Sequence, residues 1–249
     1  MNLILNSILF LIPVTGSELL PSDTPVSTVV DYYLDLQMQK GNIQPAAAVD
    51  DSNLIRRTML DLVGRIPTSI ELDEYVQSTD PDKRRKLVDH LLQSDAYRAH
   101  LAYDLNLLLA PAGNSDLREY LEIALTEQRG WDQMFTDMLG GEYKDSTQRL
   151  AMNFIKLRVK DLDNLTNATS SLFFGVNISC AKCHDHPLVT EWTQAHFYGM
   201  KSFFNRSFEN GDFVGERSYG GLTYQNTSGE QLNAKMMFLN GGTITEPVG

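Results

Sequence analysis

The stretch Ser179-Cys180-Ala181-Lys182-Cys183-His184-Asp185-His186-Pro187 carries both cysteines of the chain and two of its five histidines. Thiolates and imidazoles bind metals and react with electrophiles, so this spacing opens three chemical readings. Cys180 and Cys183, followed at once by His184, form the C-x-x-C-H pattern of a covalently attached c-type haem. On one helical turn the two sulfurs reach the vinyl-derived carbons along one porphyrin edge, and His184 offers an imidazole to the iron. Cys180, Cys183, His186 and His196 also read as C-x2-C-x2-H-x9-H, four ligands for a tetrahedral zinc ion. A plain Cys180 to Cys183 disulfide is the third reading, and so short a loop is strained and tends to be redox-active.

With haem, the sixth iron ligand sets spin state and potential. His184 supplies the proximal side only. His186, followed by Pro187, is expected to point off the opposite side of the turn. His196 and Met200 share one face of a helix expected over residues 191–204. Of the two, His196 is the favoured distal ligand, because imidazole binds iron strongly and Met200 has an ordinary place in a core. An open sixth position is the remaining option. His90 and His100, on upstream helices, are reserve ligands. Trp192, Phe197, Tyr198, Phe203 and Phe204 would wall the haem or simply fill a core.

The compartment decides which of these chemistries is open. The first seventeen residues carry no charged side chain, and Leu3 to Val14 is apolar apart from Asn6 and Ser7. That run is short for a bilayer span but suits a secretory signal peptide, with Val14 and Gly16 as small residues before the cleavage point. Export would put the cysteines where thiols are oxidised, capped or metallated. No integral span is expected in the mature chain. The formal net charge of −11 disfavours a nucleic-acid groove, which needs positive potential. Asn164, Asn167, Asn177, Asn205 and Asn226 begin Asn-x-Ser/Thr triplets, glycosylation acceptors only in a eukaryotic secretory pathway. No Ser-His-Asp set, paired carboxylates or Gly-rich phosphate loop stands out, so the residues point to a binding or redox module rather than to an enzyme.

The elements that must position this motif are mostly helices. Val26 to Leu36, Leu54 to Val63, Leu87 to Leu92 and Leu101 to Leu109 repeat apolar residues near helical spacing. Asp51 or Ser52 could cap the second of these. Thr68 and Glu71 form a capping box, Asp80-Pro81 starts a further helix, and Ser115 is expected to cap another through Leu125. Gly130 precedes a short helix in which Trp131 and Phe135 are expected core residues. Beyond Phe204 the chain turns rich in Gly, Asn and Ser, with alternating runs at Leu222 to Gln225 and Lys235 to Leu239 that read as strands. The expected fold is mainly α: a multi-helix bundle with a C-terminal CxxCH segment and a small antiparallel β region.

Three blocks carry a family resemblance. Asn53-Leu54-Ile55-Arg56-Arg57-Thr58-Met59-Leu60-Asp61-Leu62-Val63-Gly64-Arg65-Ile66-Pro67-Thr68 is similar to an LRR-x-x-LDL-x-G-x-PPT signature, with Arg65-Ile66-Pro67 in place of the double proline. Arg129-Gly130-Trp131-Asp132-Gln133-Met134-Phe135 resembles an RPYD-x-F/M segment. Leu172-Phe173-Phe174-Gly175-Val176, leading into Cys180 to Pro187 and Trp192-Thr193-Gln194, resembles LF-x-GV-x-x-x-CAQCH-x-HP followed by W-T/K-Q, with one extra residue before Trp192. Over about Val26 to Gly242 the chain resembles the planctomycete-type cytochrome-c-like domain family of extracytoplasmic bacterial proteins, a domain of unsettled function. The resemblance implies an extracytoplasmic location and haem c; it implies no catalytic residue. It also implies a second, C-terminal domain that this sequence, ending at Gly249, would lack. The expected organisation is a signal peptide over 1–17, a helical cytochrome-c-like domain over 18–204 and a β-rich extension over 205–249. The partner would be a redox protein or, in the zinc or disulfide reading, a protein or glycan.

Overall fold

Several helices begin where short polar side chains answer the free amides of a first turn, among them Thr68, Ser94, Asn114, Asp145 and Asp161. In the computed structural model, which describes residues 19–110, 112–141 and 144–245, the chain divides into two units, residues 1–50 and 51–249. The expected signal peptide lies outside the described residues. In the first unit, α1 (Val26–Lys40) ends as the Gly41 N–H donates to the Gln37 carbonyl at 2.9 Å.

The second unit opens with α2 (Asp51–Val63), α3 (Ser69–Gln77) and α4 (Lys83–Leu92). Thr68 and Glu71 make the expected capping box at the start of α3. The Asp80-Pro81 signal gives a turn rather than a first helical residue: Asp80 Oδ1 accepts from the Asp82 N–H at 2.8 Å, and α4 starts at Lys83. Ile55, Met59, Val63, Tyr75 and Leu91 form the buried core of these three helices.

A larger core joins α5 (Asp95–Leu109), α6 (Ser115–Thr126), α7 (Trp131–Gly140), α8 (Ser146–Ala151), α9 (Asn153–Lys156) and α10 (Leu162–Phe174). Leu117, Tyr120, Leu121, Met138, Phe154 and Leu165 are fully enclosed there, each of the aliphatic side chains worth about 1.5–3 kcal/mol of apolar burial. The cap of α6 is Asn114 rather than Ser115: its Oδ1 accepts from the Leu117 N–H at 2.9 Å, a reach that only the residue one place earlier has. The run Leu107-Leu108-Leu109 winds round α5, so Leu109 is buried and its two neighbours are exposed. On α7 the buried face is Met134, Asp137 and Met138. Trp131, expected in the core, is an exposed side chain whose ring lies tilted at 34° to Phe173, their centroids 5.4 Å apart.

After α10 come a 3-10 turn (Ser179–Lys182), α11 (Gln194–Ser202) and two antiparallel hairpins. β1 (Ser207–Asn210) pairs with β2 (Phe213–Glu216), and β3 (Thr223–Gln225) with β4 (Gln231–Asn233). Lys235 to Leu239 is not the strand expected; it makes only an isolated bridge, Met237 to Thr243, and lies against α11. The close approach needs Gly199, since a Cβ there would sit 2.5 Å from Met237 Cβ. The protein is thus mainly helical with small antiparallel β hairpins, and no described helix is long and apolar enough to cross a membrane.

Candidate haem-attachment turn

The motif hangs from the end of α10. Gly175 takes the left-handed conformation, with φ 68°, that stops the helix, and its N–H and that of Val176 both donate to the Ser170 carbonyl. Ile178 and Ala181 then bury completely against Phe197 and Met200 of α11. With Ala181 pinned inward, the 3-10 turn leaves Cys180 and Cys183 outward, both free thiols and both exposed. The Cys183 and His184 N–H groups both donate to the Cys180 carbonyl, at 3.3 and 3.4 Å. The two thiols and His184 are therefore carried on one turn.

The ring nitrogens separate the histidines. His184 Nδ1 lies 2.8 Å from the Asp185 carbonyl oxygen, which can only accept, so Nδ1 carries the proton and Nε2 keeps a lone pair. His186 is the reverse. Its Nδ1 accepts from the N–H groups of Leu188 and Val189, at 3.2 and 3.1 Å, which puts its proton on Nε2. Its ring packs edge to face on Trp192 at 5.5 Å, and the His186 backbone N–H donates to the Trp192 carbonyl, so the residue staples the turn that contains Pro187. His196 Nδ1 accepts from the Thr193 N–H at 3.2 Å, forming the cap that starts α11 at Gln194, three residues later than expected. Coordination through Nε2 would move the proton of either ring onto Nδ1 and set it against a backbone N–H.

Met200 is 4% exposed, in the core beneath the turn. His90 is exposed on α4, and His100 sits on α5 with Nε2 3.5 Å from Asp104. Both belong to the region of α2 to α5, whereas the cysteines stand over the Ile178, Ala181, Phe197 and Met200 cluster. Phe197 and Phe204 are buried, while Trp192, Tyr198 and Phe203 are half-buried at the edges of that cluster. Among the described residues no three His, Cys, Asp or Glu side chains are gathered as a metal site.

The anchors of the turn escaped the sequence reading. Asp163 of α10 receives Lys182 Nζ at 2.8 Å and Lys201 Nζ at 2.7 Å, tying the residue between the cysteines to both flanking helices. Burial pushes the Asp163 carboxyl up, but the two ammonium groups outweigh it and hold it below the usual range. Gln194 donates its Nε2 to the Lys182 carbonyl at 3.2 Å, its N–H to Asp185 Oδ1 at 3.0 Å, and accepts from the Thr227 N–H. Tyr198 stacks on Tyr224 of β3 at 4.2 Å, fixing the second hairpin to α11. Gln194 alone had a signal, in the Trp192-Thr193-Gln194 block; nothing local marks Asp163.

Residues 29–209 match the model of the PSCyt2 family, described as a protein of unknown function (DUF1549). The chain belongs to that family. The PSCyt2 match includes the CxxCH turn and α11 and closes within β1, so β2 to β4 lie beyond it. No curated protein and no solved structure matches the chain.

Proposed function

We propose that this PSCyt2-family chain is an extracytoplasmic redox module that holds one haem covalently through Cys180 and Cys183, with His184 as the proximal iron ligand. The observation that carries the reading is the turn itself: two free, exposed thiols beside an imidazole whose Nδ1 is hydrogen-bonded to a carbonyl and whose Nε2 is left as a donor to metal. Bound haem supplies a one-electron couple. The chain's own residues hold the attachment turn: Asp163 clamps Lys182, Gln194 bridges the turn to α11, and the Ile178 and Ala181 side chains seat it. The uncharged apolar start supports export, and attachment of haem to paired cysteines is chemistry of the oxidising side. The partner is a redox protein.

The zinc alternative draws no such support, because two of its four ligands, His186 and His196, have Nδ1 already accepting backbone N–H groups. Expression with a periplasmic haem-ligation system tests the choice. Haem staining should survive denaturing electrophoresis, and Cys180→Ser and Cys183→Ser should each weaken or abolish it. An unmodified intact mass with one equivalent of zinc would overturn the haem reading in favour of the zinc one.

A further inference from the structure

A cleft of about 550 Å³ opens between α7, α10, the segment after α11 and β2, within the range of small-molecule sites. Five phenylalanines line it, four of them in two pairs. Phe135 and Phe174 meet edge to face with centroids 5.6 Å apart, and Phe203 and Phe238 lie tilted at 37° with centroids 5.0 Å apart; Phe204 is the fifth. Phe174 and Phe238 are exposed, so one ring of each pair can be reached from solvent. The face of an aromatic ring is its negative side and attracts cations.

The polar side chains of the lining add a sign. They are Ser207, the enclosed Thr169 and Glu216, and of these only Glu216 is ionisable. Glu216 ends β2 with its side chain 69% exposed, so its carboxylate is open to a ligand. Its Oε1 lies 3.2 Å from Arg206 Nε, which also donates to the Arg217 carbonyl at 2.7 Å. Arg206 does not line the cleft, so the pair turns its negative end toward the rings. An anion would meet that carboxylate with no cationic side chain on the wall to answer it. A primary ammonium would exchange its hydration for phenylalanine, at a cost in desolvation. A cation whose charge is spread over alkyl groups gains both the ring faces and the carboxylate.

We infer that this cleft binds a small, soluble organic cation of the quaternary ammonium class, its alkyl groups against the phenylalanine rings and Glu216 as its counter-charge. The inference is independent of haem attachment, since neither cysteine nor His184 lines the cleft.

The probe is choline, titrated calorimetrically into the full chain, and the control ligand is 3,3-dimethylbutan-1-ol, a neutral alcohol of nearly the same shape. Saturable binding of choline at one site is expected, about 10-fold or more tighter than the alcohol. Glu216→Gln should weaken choline by about 3- to 10-fold and leave the alcohol unchanged. Phe238→Leu keeps an apolar side chain without a ring, and should weaken choline by about 2- to 5-fold and the alcohol less. Both substituted side chains are exposed, so the fold should survive either change. Absence of saturable choline binding, equal affinity for the two ligands, or an unchanged choline affinity in Glu216→Gln would overturn the inference. Sedimentation with phosphatidylcholine vesicles, abolished in Phe238→Leu, would assign the cleft to a lipid headgroup and overturn the soluble ligand.

Discussion

The block around Arg129 to Asp137 and the block around Cys180 to His196 are both polar stretches set over apolar cores, and they turn their polar groups in opposite directions. In the first, the fully buried Asp137 accepts from Tyr120 Oη and an Arg129 guanidinium N–H, both at 2.7 Å, and from Gln133 Nε2 at 2.9 Å. Burial, joined by the Asp137 bond, pushes the Tyr120 phenol well above its ordinary value, so it remains a donor. In the second, Ile178, Ala181 and Phe197 take the inward places, and the thiols and His184 face out. A buried network with every member answered holds a fold together; exposed donors with an assigned lone pair are left for a ligand. Both blocks belong to the PSCyt2 match, and only the direction of the side chains tells scaffold from site.

The largest effect should therefore come from the scaffold. Asp137→Ala leaves the Arg129 guanidinium and the Tyr120 hydroxyl without their shared acceptor, and we expect a loss of about 3–5 kcal/mol in urea unfolding. Cys180→Ser, measured without haem, should stay within about 0.5 kcal/mol of the parent, as exposed substitutions do. Similar losses in both variants would erase the distinction between the two blocks.

Asp163 lies between these extremes, because it is a scaffold residue whose work is done at the site. Asp163→Asn weakens two charge-assisted bonds at a carboxylate whose side chain is 28% exposed. The expected loss is about 1–3 kcal/mol, with a lower yield of attached haem as the Lys182 anchor loosens. The sign with pH follows from the depressed folded-state value. This contribution is fully present above the unfolded carboxylate pKa of about 4 and fades as pH falls below it. An unfolding series from pH 6 down to pH 3 should show the parent and Asp163→Asn converging at the acid end. Parallel curves would mean that Asp163 is not what ties the turn down.

What could be read in the sequence divides along the same line. Helical periodicity and the Thr68 cap depend on neighbours three or four residues away, and they were legible. The error at Ser115 was one position, because Asn114 and Ser115 are both good caps and only the reach to Leu117 chooses between them. Trp131 was misplaced because its i, i+4 spacing with Phe135 suggested a shared core face, while the α7 face turned inward is set by Met134 and Met138. The hairpin of β1 and β2 went unnamed since each strand has four residues, too few to set a period apart from a loop. At the site, the CxxCH turn was legible as a turn. Its Asp163 clamp was not, since Lys182 and Lys201 meet that carboxylate only through tertiary packing. Nor could spacing show which ring nitrogens were already spoken for.

A smaller effect is expected where the guanidinium and carboxylate chemistry of Asp137 recurs at the surface. Glu71 meets Arg65 at 2.8 Å with side chains 35% and 49% exposed, and also closes the Thr68 cap. The hydrogen bonds from Arg65 first, and then from Thr68, hold its carboxyl down to about 2. Stability from this group is present above the unfolded value of about 4.3 and is lost as pH falls toward 2. Solvent screening limits such a pair, so Glu71→Gln should cost no more than about 1 kcal/mol at pH 7. It should also flatten the acid limb of the stability curve. A loss as large as that of Asp137→Ala would show that exposure is not what separates the two pairs.

The smallest expected effect is none at all, at the sixth position of the iron. The sequence favoured His196 as distal ligand and kept Met200 as its rival. His196 Nδ1 now serves the Thr193 cap, and Met200 is packed under the turn with Phe197 and Ile178. Ligation by His196 would cost the first turn of α11 an amide acceptor, and ligation by Met200 would pull a buried side chain out of its core. Neither side chain is free, so the haem-loaded protein should be high-spin when oxidised. His196→Gln and Met200→Leu should leave that spectrum unchanged, and exogenous imidazole should convert all three proteins alike to a low-spin form. A low-spin parent that turns high-spin in His196→Gln would mean that α11 gives up its cap to the iron. A far-red charge-transfer band that vanishes in Met200→Leu would assign the position to Met200, and with it a higher potential than a bis-histidine site would have.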